Sequence, residues 1–309
     1  MATLALTLSY DGRNFSGSQI QPTGRTVQGA LAEALANVYG EPVATVFAGR
    51  TDAGVHAAAQ VVSLTEPGIG RGGTALRAAL NHWLPDDIAV ATVDMAADSF
   101  SARFDARWRE YRYFVWSGGR EPLANGWVWR RSAVLDVEAM RQSAAMLMGT
   151  HDFASFVGGG EGVPWSKRRG QEHGTVRTLF ASRIRECDPW WRPSLPSEGQ
   201  LFEYRVAGNG FLPQMVRSLA SALVDVGRGA RDPGWVGELL ERRDRRLGPA
   251  TAPPHGLTLW RVGYDDWPTP GVLSEKVATM AGNAPPIGPT DELRGRTHRG
   301  TANVVTEGA

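Results

Sequence analysis

The stretch Phe47–Ala57, FAGRTDAGVHA, gathers an arginine, an aspartate and a histidine among glycines and alanines. An ionised carboxylate at Asp52 could act as a nucleophile or as a base. Arg50, two residues earlier, is close enough to pair with that carboxylate or to steer past it. The flanking Ala and Gly residues leave space beside it instead of filling it. Asp-Ala-Gly is also good turn chemistry, so the segment alone fits either a charged surface turn or a loop built around one acid. Elsewhere the sequence offers no second acid, Ser–His pairing or metal cluster as a competing centre. His56 is expected to order the loop by hydrogen bonding, and His151 to serve as a cap or turn residue.

Composition narrows the class. A chain of 309 residues, 42% hydrophobic and 21% charged, can bury a substantial core but has no apolar run long enough to span a bilayer. The N-terminal MATLALTLSYDG alternates and lacks a basic lead-in, which argues against a secretory signal and for a cytoplasmic protein. A lone cysteine, Cys187, excludes an intrachain disulfide, and the six scattered histidines show no zinc-ligand spacing. The net charge of +1 is uninformative. Local clusters say more: Arg103, Arg107, Arg109 and Arg112 interleave with Phe104, Trp108, Tyr111 and Tyr113. Further basic runs follow at Trp129–Arg131, Ser166–Gly170 and Glu241–Gly248. Such a surface could track phosphates and stack bases, or it could be a set of solvated faces.

The elements that must position these residues follow from periodicity. Leu4–Tyr10 alternates as a half-buried strand does, and a loop runs from Asp11 to Gly24. Val27, Ala30, Leu31, Ala34, Leu35 and Val38 then recur at helical spacing up to a stop at Gly40. ATVFAGR and AAQVVSL read as strands flanking the Asp52 loop. A helix through TALRAALNHWL and strands at DDIAVATVDM and EYRYFVW complete a first half, with Tyr111, Tyr113 and Val115 on one face. After a turn-rich break at Gly118–Pro122 come an amphipathic helix (VEAMRQSAAMLMG), a Gly-rich basic loop from Gly158 to Gly174, and strands at TVRTLFASRIREC and LFEYRVAGNG. A buried helix follows, with Leu212, Met215, Val216, Leu219, Leu223 and Val226 as its stripe and Gly227 as its stop. Both halves repeat strand, small-residue loop and amphipathic helix. The expected fold is therefore α+β: two related halves, a largely antiparallel sheet flanked by helices, and a cleft between the halves. The expected boundaries are 1–118, 119–266 and a Pro/Gly-rich tail over 267–309 with little fixed structure.

GRTDAGVHA resembles the signature of the tRNA pseudouridine synthase A family. LSYDG, RTVQGAL, FSARFDA, REYRY, HDFASF, VRT, GNGFLPQMVRSL and HGLTLWRVGY are similar to the family in order and spacing, so the resemblance covers residues 3 to 265. It implies an isomerase that turns uridine into pseudouridine in the anticodon stem-loop of tRNA, at positions 38, 39 and 40, without a cofactor or metal. It places Asp52 as the nucleophile and Arg217 as its ion-pair partner. Arg50 is implied to help displace the target nucleotide, Tyr111 to stack on the flipped base, and Leu257 to close its other side. It also implies a cytoplasmic homodimer with tRNA lying across both subunits. The basic aromatic segments and the Gly158–Gly174 loop would contact phosphates. A non-catalytic RNA-binding protein of the same fold, or a relative acting on another RNA or a free nucleotide, are the alternatives. Two positions depart from the pattern: Ser18 stands where many relatives have tryptophan, and Ser218 where asparagine is common.

Overall fold

The computed structural model describes residues 2–68, 73–158, 167–168, 171–172, 174–191 and 199–266. The basic loop expected over Gly158–Gly174 lies largely outside the described residues, as does the tail over 267–309.

Strand β1 (Thr3–Tyr10) buries Leu4, Leu6, Leu8 and Tyr10 on one face, as its alternation dictates. A loop leads to helix α1 (Val27–Tyr39), whose first turn is capped by the Thr26 hydroxyl accepting from the Gly29 amide. Gly40, at φ 78°, ends it in the left-handed conformation. Strands β2 (Thr45–Phe47) and β3 (His56–Thr65) flank the Asp52 loop. Helix α2 (Gly73–Trp83) and strands β4 (Ile88–Ala96) and β5 (Trp108–Ser117) follow. Next come β6 (Trp129–Arg131), α3 (Val137–Met146) and β7 (Gly149–Asp152). A two-stranded ladder of β8 (Lys167–Arg168) and β9 (Gln171–Glu172) stands apart. The chain continues through β10 (Val176–Cys187), β11 (Gln200–Gly208), α4 (Met215–Gly227), α5 (Trp235–Arg242) and β12 (Leu257–Gly263).

Ten strands form one sheet in the order β4-β1-β3-β12-β5-β11-β10-β7, with β2 paired to β3 and β6 to β5. All its pairings are antiparallel except β12–β3 and β5–β6, so the fold is α+β with a largely antiparallel sheet, as expected. Residues from all five helices share one core with the Tyr111, Tyr113 and Val115 face of β5. The opposite face carries a smaller cluster around Trp116 and Leu201.

Three features differ from the sequence expectation. Gly227 does not stop α4 but is its last residue; a Cβ there would stand 2.6 Å from Met140 Sδ, so its role is to let α3 approach. Helix α5 was not expected; its short stripe of Val236, Leu239 and Leu240 packs inward beside a run of charges that masks it. The third difference concerns the arginines of β5. Arg112 donates to Glu110 at 3.3 Å and to Glu203 at 3.1 Å, and lies 3.8 Å above the Trp260 ring. Arg205 and Arg185 complete the ladder on the same two buried carboxylates. Three arginines thus share two buried carboxylates across β10, β11 and β5, and Arg112 is engaged within the protein by both carboxylates and the Trp260 ring.

Candidate active site

Strand β12 decides the geometry. It inserts between β3 and β5, pairing Thr258 with His56 and Leu259 with both Ala57 and Tyr111. The loop entering β3, the start of β12 and the middle of β5 therefore meet at one point of the sheet. Asp52, Leu257 and Tyr111 come from those three places.

The Asp52 loop is fixed from behind. The Asp52 carbonyl accepts the Val55 amide at 3.2 Å, closing a turn whose third residue, Gly54, has φ 79° and faces Pro254 too closely for a Cβ. Ser18 and Thr51 exchange two hydrogen bonds: the Thr51 amide donates to Ser18 Oγ at 2.9 Å, and the Ser18 amide to the Thr51 carbonyl at 3.0 Å. The Tyr10 and Thr51 hydroxyls meet at 2.8 Å. Burial pushes the Tyr10 phenol up to about 12, so that hydroxyl stays protonated. Gln60 holds Gly49 through both its amide atoms. Tyr10 lies in the LSYDG motif and Gly49 and Thr51 in GRTDAGVHA, whereas Gln60 had no signal in the sequence.

Opposite the loop stands Arg217, from the first turn of α4. Its Nη1 donates to Asp52 Oδ2 at 2.9 Å and its Nε to the Ala252 carbonyl at 2.8 Å. The two partners are 165 residues apart in sequence. The Arg217 side chain is only 14% exposed, whereas that of Asp52 is 39% exposed. The aspartate is thus only partly buried, while its arginine partner is nearly enclosed.

Arg50 is exposed and does not pair with Asp52, whose carboxylate is held by Arg217; of the two alternatives left open for Arg50, pairing with the acid is the one not seen. Tyr111 is buried, its ring edge-on to Phe211 at 5.1 Å, and its hydroxyl lies over Gly49, where a Cβ would be 3.8 Å away. Burial raises its pKa far above neutrality, with the Asp52 charge adding to the effect, so Tyr111 presents a neutral hydroxyl. Leu257 is buried at the start of β12, directly opposite Tyr113. Among the described residues no group of three or more His, Cys, Asp or Glu could hold a metal ion, and no helix is long and apolar enough to cross a membrane.

His56 orders the loop, as its position suggested. Its Nδ1 accepts the Gly12 amide at 3.1 Å, leaving Nε2–H to donate to the carbonyls of Gly126 at 2.9 Å and His255 at 3.2 Å. Its ring stacks on Trp127 at 4.3 Å. Burial lowers its pKa from 6.5 and outweighs the opposing pull of the Asp11 carboxylate. His255 is shifted the same way, by burial and then by the Arg217 charge. Below pH 6.5 the unfolded chain therefore binds protons that the folded protein refuses, and stability falls as pH drops through that value. Thermal unfolding followed from about pH 7 to about pH 5 is expected to show a falling midpoint. His56→Gln should start lower at neutral pH and lose less on acidification; an equally steep loss in that variant would contradict the assignment. His151 closes a local turn by meeting the Met148 carbonyl at 2.8 Å.

A family model described as tRNA pseudouridine synthase matches residues 7–105 and 143–265. The tRNA pseudouridine synthase A of Solidesulfovibrio magneticus is 43% identical, covering 92% of this chain and 99% of the relative. Proteins of the same name from Geobacillus kaustophilus and Thermosipho africanus are 38% and 40% identical. They match 84% and 85% of this chain, and 93% and 99% of their own lengths. Among solved structures, an archaeal box H/ACA Nop10–Cbf5 complex is matched over 72% of this chain and 44% of that chain, at 12% identity and a TM-score of 0.28, too low to carry an argument. The family model and the sequence relatives suffice: this chain belongs to the tRNA pseudouridine synthase family.

Proposed function

We propose that this protein isomerises uridine to pseudouridine at positions 38, 39 and 40 of the tRNA anticodon stem-loop, with Asp52 as nucleophile. The reaction breaks the N1–C1′ bond, turns the base and forms a C5–C1′ bond. The C5 proton leaves and N1 ends with a proton, so no electrons are exchanged and no cofactor is required. What supports the reading is the contact of Arg217 with Asp52 at 2.9 Å beside Tyr111. The Asp52 carboxylate, oriented by that contact, is the group able to add to C1′ of the sugar or C6 of the base.

The target uridine must leave its stack to reach Asp52. Exposed Arg50 enters the space it vacates, Tyr111 lies against the flipped base and Leu257 closes the far side. The filled site then excludes the water that reaches Asp52 in the free protein. Residues 1–118 and 119–266 act as the two halves around this cleft. The working form is a cytoplasmic homodimer with one tRNA lying across both copies.

Mapping pseudouridine in tRNA from a deletion strain tests the choice of substrate. The expected result is loss at positions 38 to 40 alone, restored by the wild-type gene. Unchanged modification there, or loss confined to another RNA, would overturn it.

A further inference from the structure

Arg109 sits on the same face of β5 as Tyr111, two residues before it, yet no carboxylate pairs with it among the described residues. Its four terminal N–H groups go to backbone carbonyls instead. Nη1 donates to Ala106 at 2.9 Å and Asn209 at 3.2 Å; Nη2 donates to Ala48 at 2.8 Å and Arg103 at 3.1 Å. Those carbonyls belong to three separate loops. Ala48 begins the path through Gly49 and Arg50 to Asp52. Arg103 and Ala106 belong to the turn that precedes β5. Asn209 leads into Phe211, whose ring stands edge-on to Tyr111, and on to α4 with Arg217. Asn209 is itself fixed by two hydrogen bonds with the Thr178 backbone.

We propose that Arg109 is a positioning residue whose guanidinium ties the Asp52 loop to the two loops beside it, setting the distance from Asp52 to Tyr111 and Arg217. The assignment rests on the reading of Asp52 given above. It also reverses the sequence expectation that this arginine contacts phosphate. Burial lowers its pKa, as for a cation withdrawn from water without a counter-ion. The four carbonyls offset that desolvation. Only a planar fork with two terminal nitrogens can reach all four; a lysine ammonium keeps the charge but offers donors from one point.

The test is a pair of variants, Arg109→Lys and Arg109→Met, assayed for pseudouridine formation in a tRNA transcript and for tRNA affinity against salt. Both are expected to lower kcat by roughly 10- to 100-fold, as misplacement of reacting groups by about an ångström does. KM, tRNA affinity and its salt slope should stay near wild type. A phosphate contact would behave otherwise: lysine would preserve affinity and methionine would flatten the salt slope by about one. That pattern, or wild-type kcat in Arg109→Lys, overturns the proposal. Arg112→Lys, on the opposite face, is the control for stability loss and should keep kcat. Should neither Arg109 variant fold, guanidinium NMR of the wild type decides. Slowly exchanging Arg109 Nη protons that do not move on adding an anticodon stem-loop RNA support the clamp; fast exchange or a large shift removes it. If Asp52→Asn stays active, the function reading fails; if Asp52→Asn is inactive but Arg109→Lys turns over normally, only this inference fails.

Discussion

Asp52→Asn is expected to bind tRNA close to normally and to form no pseudouridine, a loss of at least about 10³-fold in turnover. Asparagine has nearly the same shape, so the turn closed by the Asp52 carbonyl and the Val55 amide survives. What disappears is the charge. An amide oxygen is a poor nucleophile, and Arg217 would face a neutral dipole where it now meets a carboxylate at 2.9 Å. The cost to stability should be small, because the Asp52 side chain is 39% exposed and water already screens the pair. Filter binding with a tRNA transcript, together with a thermal melt, checks both halves of the expectation. A variant that unfolds or no longer binds RNA would place Asp52 in the scaffold instead.

Substituting Arg217 should act nearly as strongly but for a different reason. Arg217→Met removes the cation opposite Asp52 and should lower kcat by roughly 10²- to 10³-fold, the usual effect of losing one aligned charged donor. It also removes the hydrogen bond to the Ala252 carbonyl, costing about 1 kcal/mol of stability. Arg217→Lys separates the two functions. A single ammonium cannot serve Ala252 and Asp52 together with the geometry of two guanidinium nitrogens, so activity should recover only in part. Single-turnover kinetics at saturating enzyme measures this directly. Full activity in the methionine variant would mean that the ion pair holds the two segments together without aiding the chemistry.

Much of this was legible in the sequence, and the illegible part has a common cause. Strand β1 and helices α1 and α4 announce themselves because each has one buried face, and burial imposes its period on the apolar residues. The insertion of β12 between β3 and β5 has no such local trace: strand order is set by contacts between distant segments. Family resemblance supplied the pairing of Arg217 with Asp52; spacing alone could not. The arginines of β5 illustrate the limit well. Alternation correctly separates Arg109 from Arg112, but it cannot say that one meets backbone carbonyls and the other buried glutamates. Composition suggested phosphate contacts for both, and in the structure both are engaged inside the protein. Ser18 became intelligible only with its partner in view, as a buried hydroxyl that accepts the Thr51 amide. Ser218 is fully buried, its hydroxyl has no hydrogen-bond partner, and nothing in the structure explains it.

The proposed reaction requires the Asp52 carboxylate, held by Arg217, to carry out the chemistry. Tritium release from tRNA labelled at C5 of uridine reports that chemistry without depending on product detection. Wild-type protein should release the label progressively from the anticodon stem-loop, and Asp52→Asn, saturated with the same tRNA, should release none. Release by the asparagine variant at the wild-type rate would contradict it.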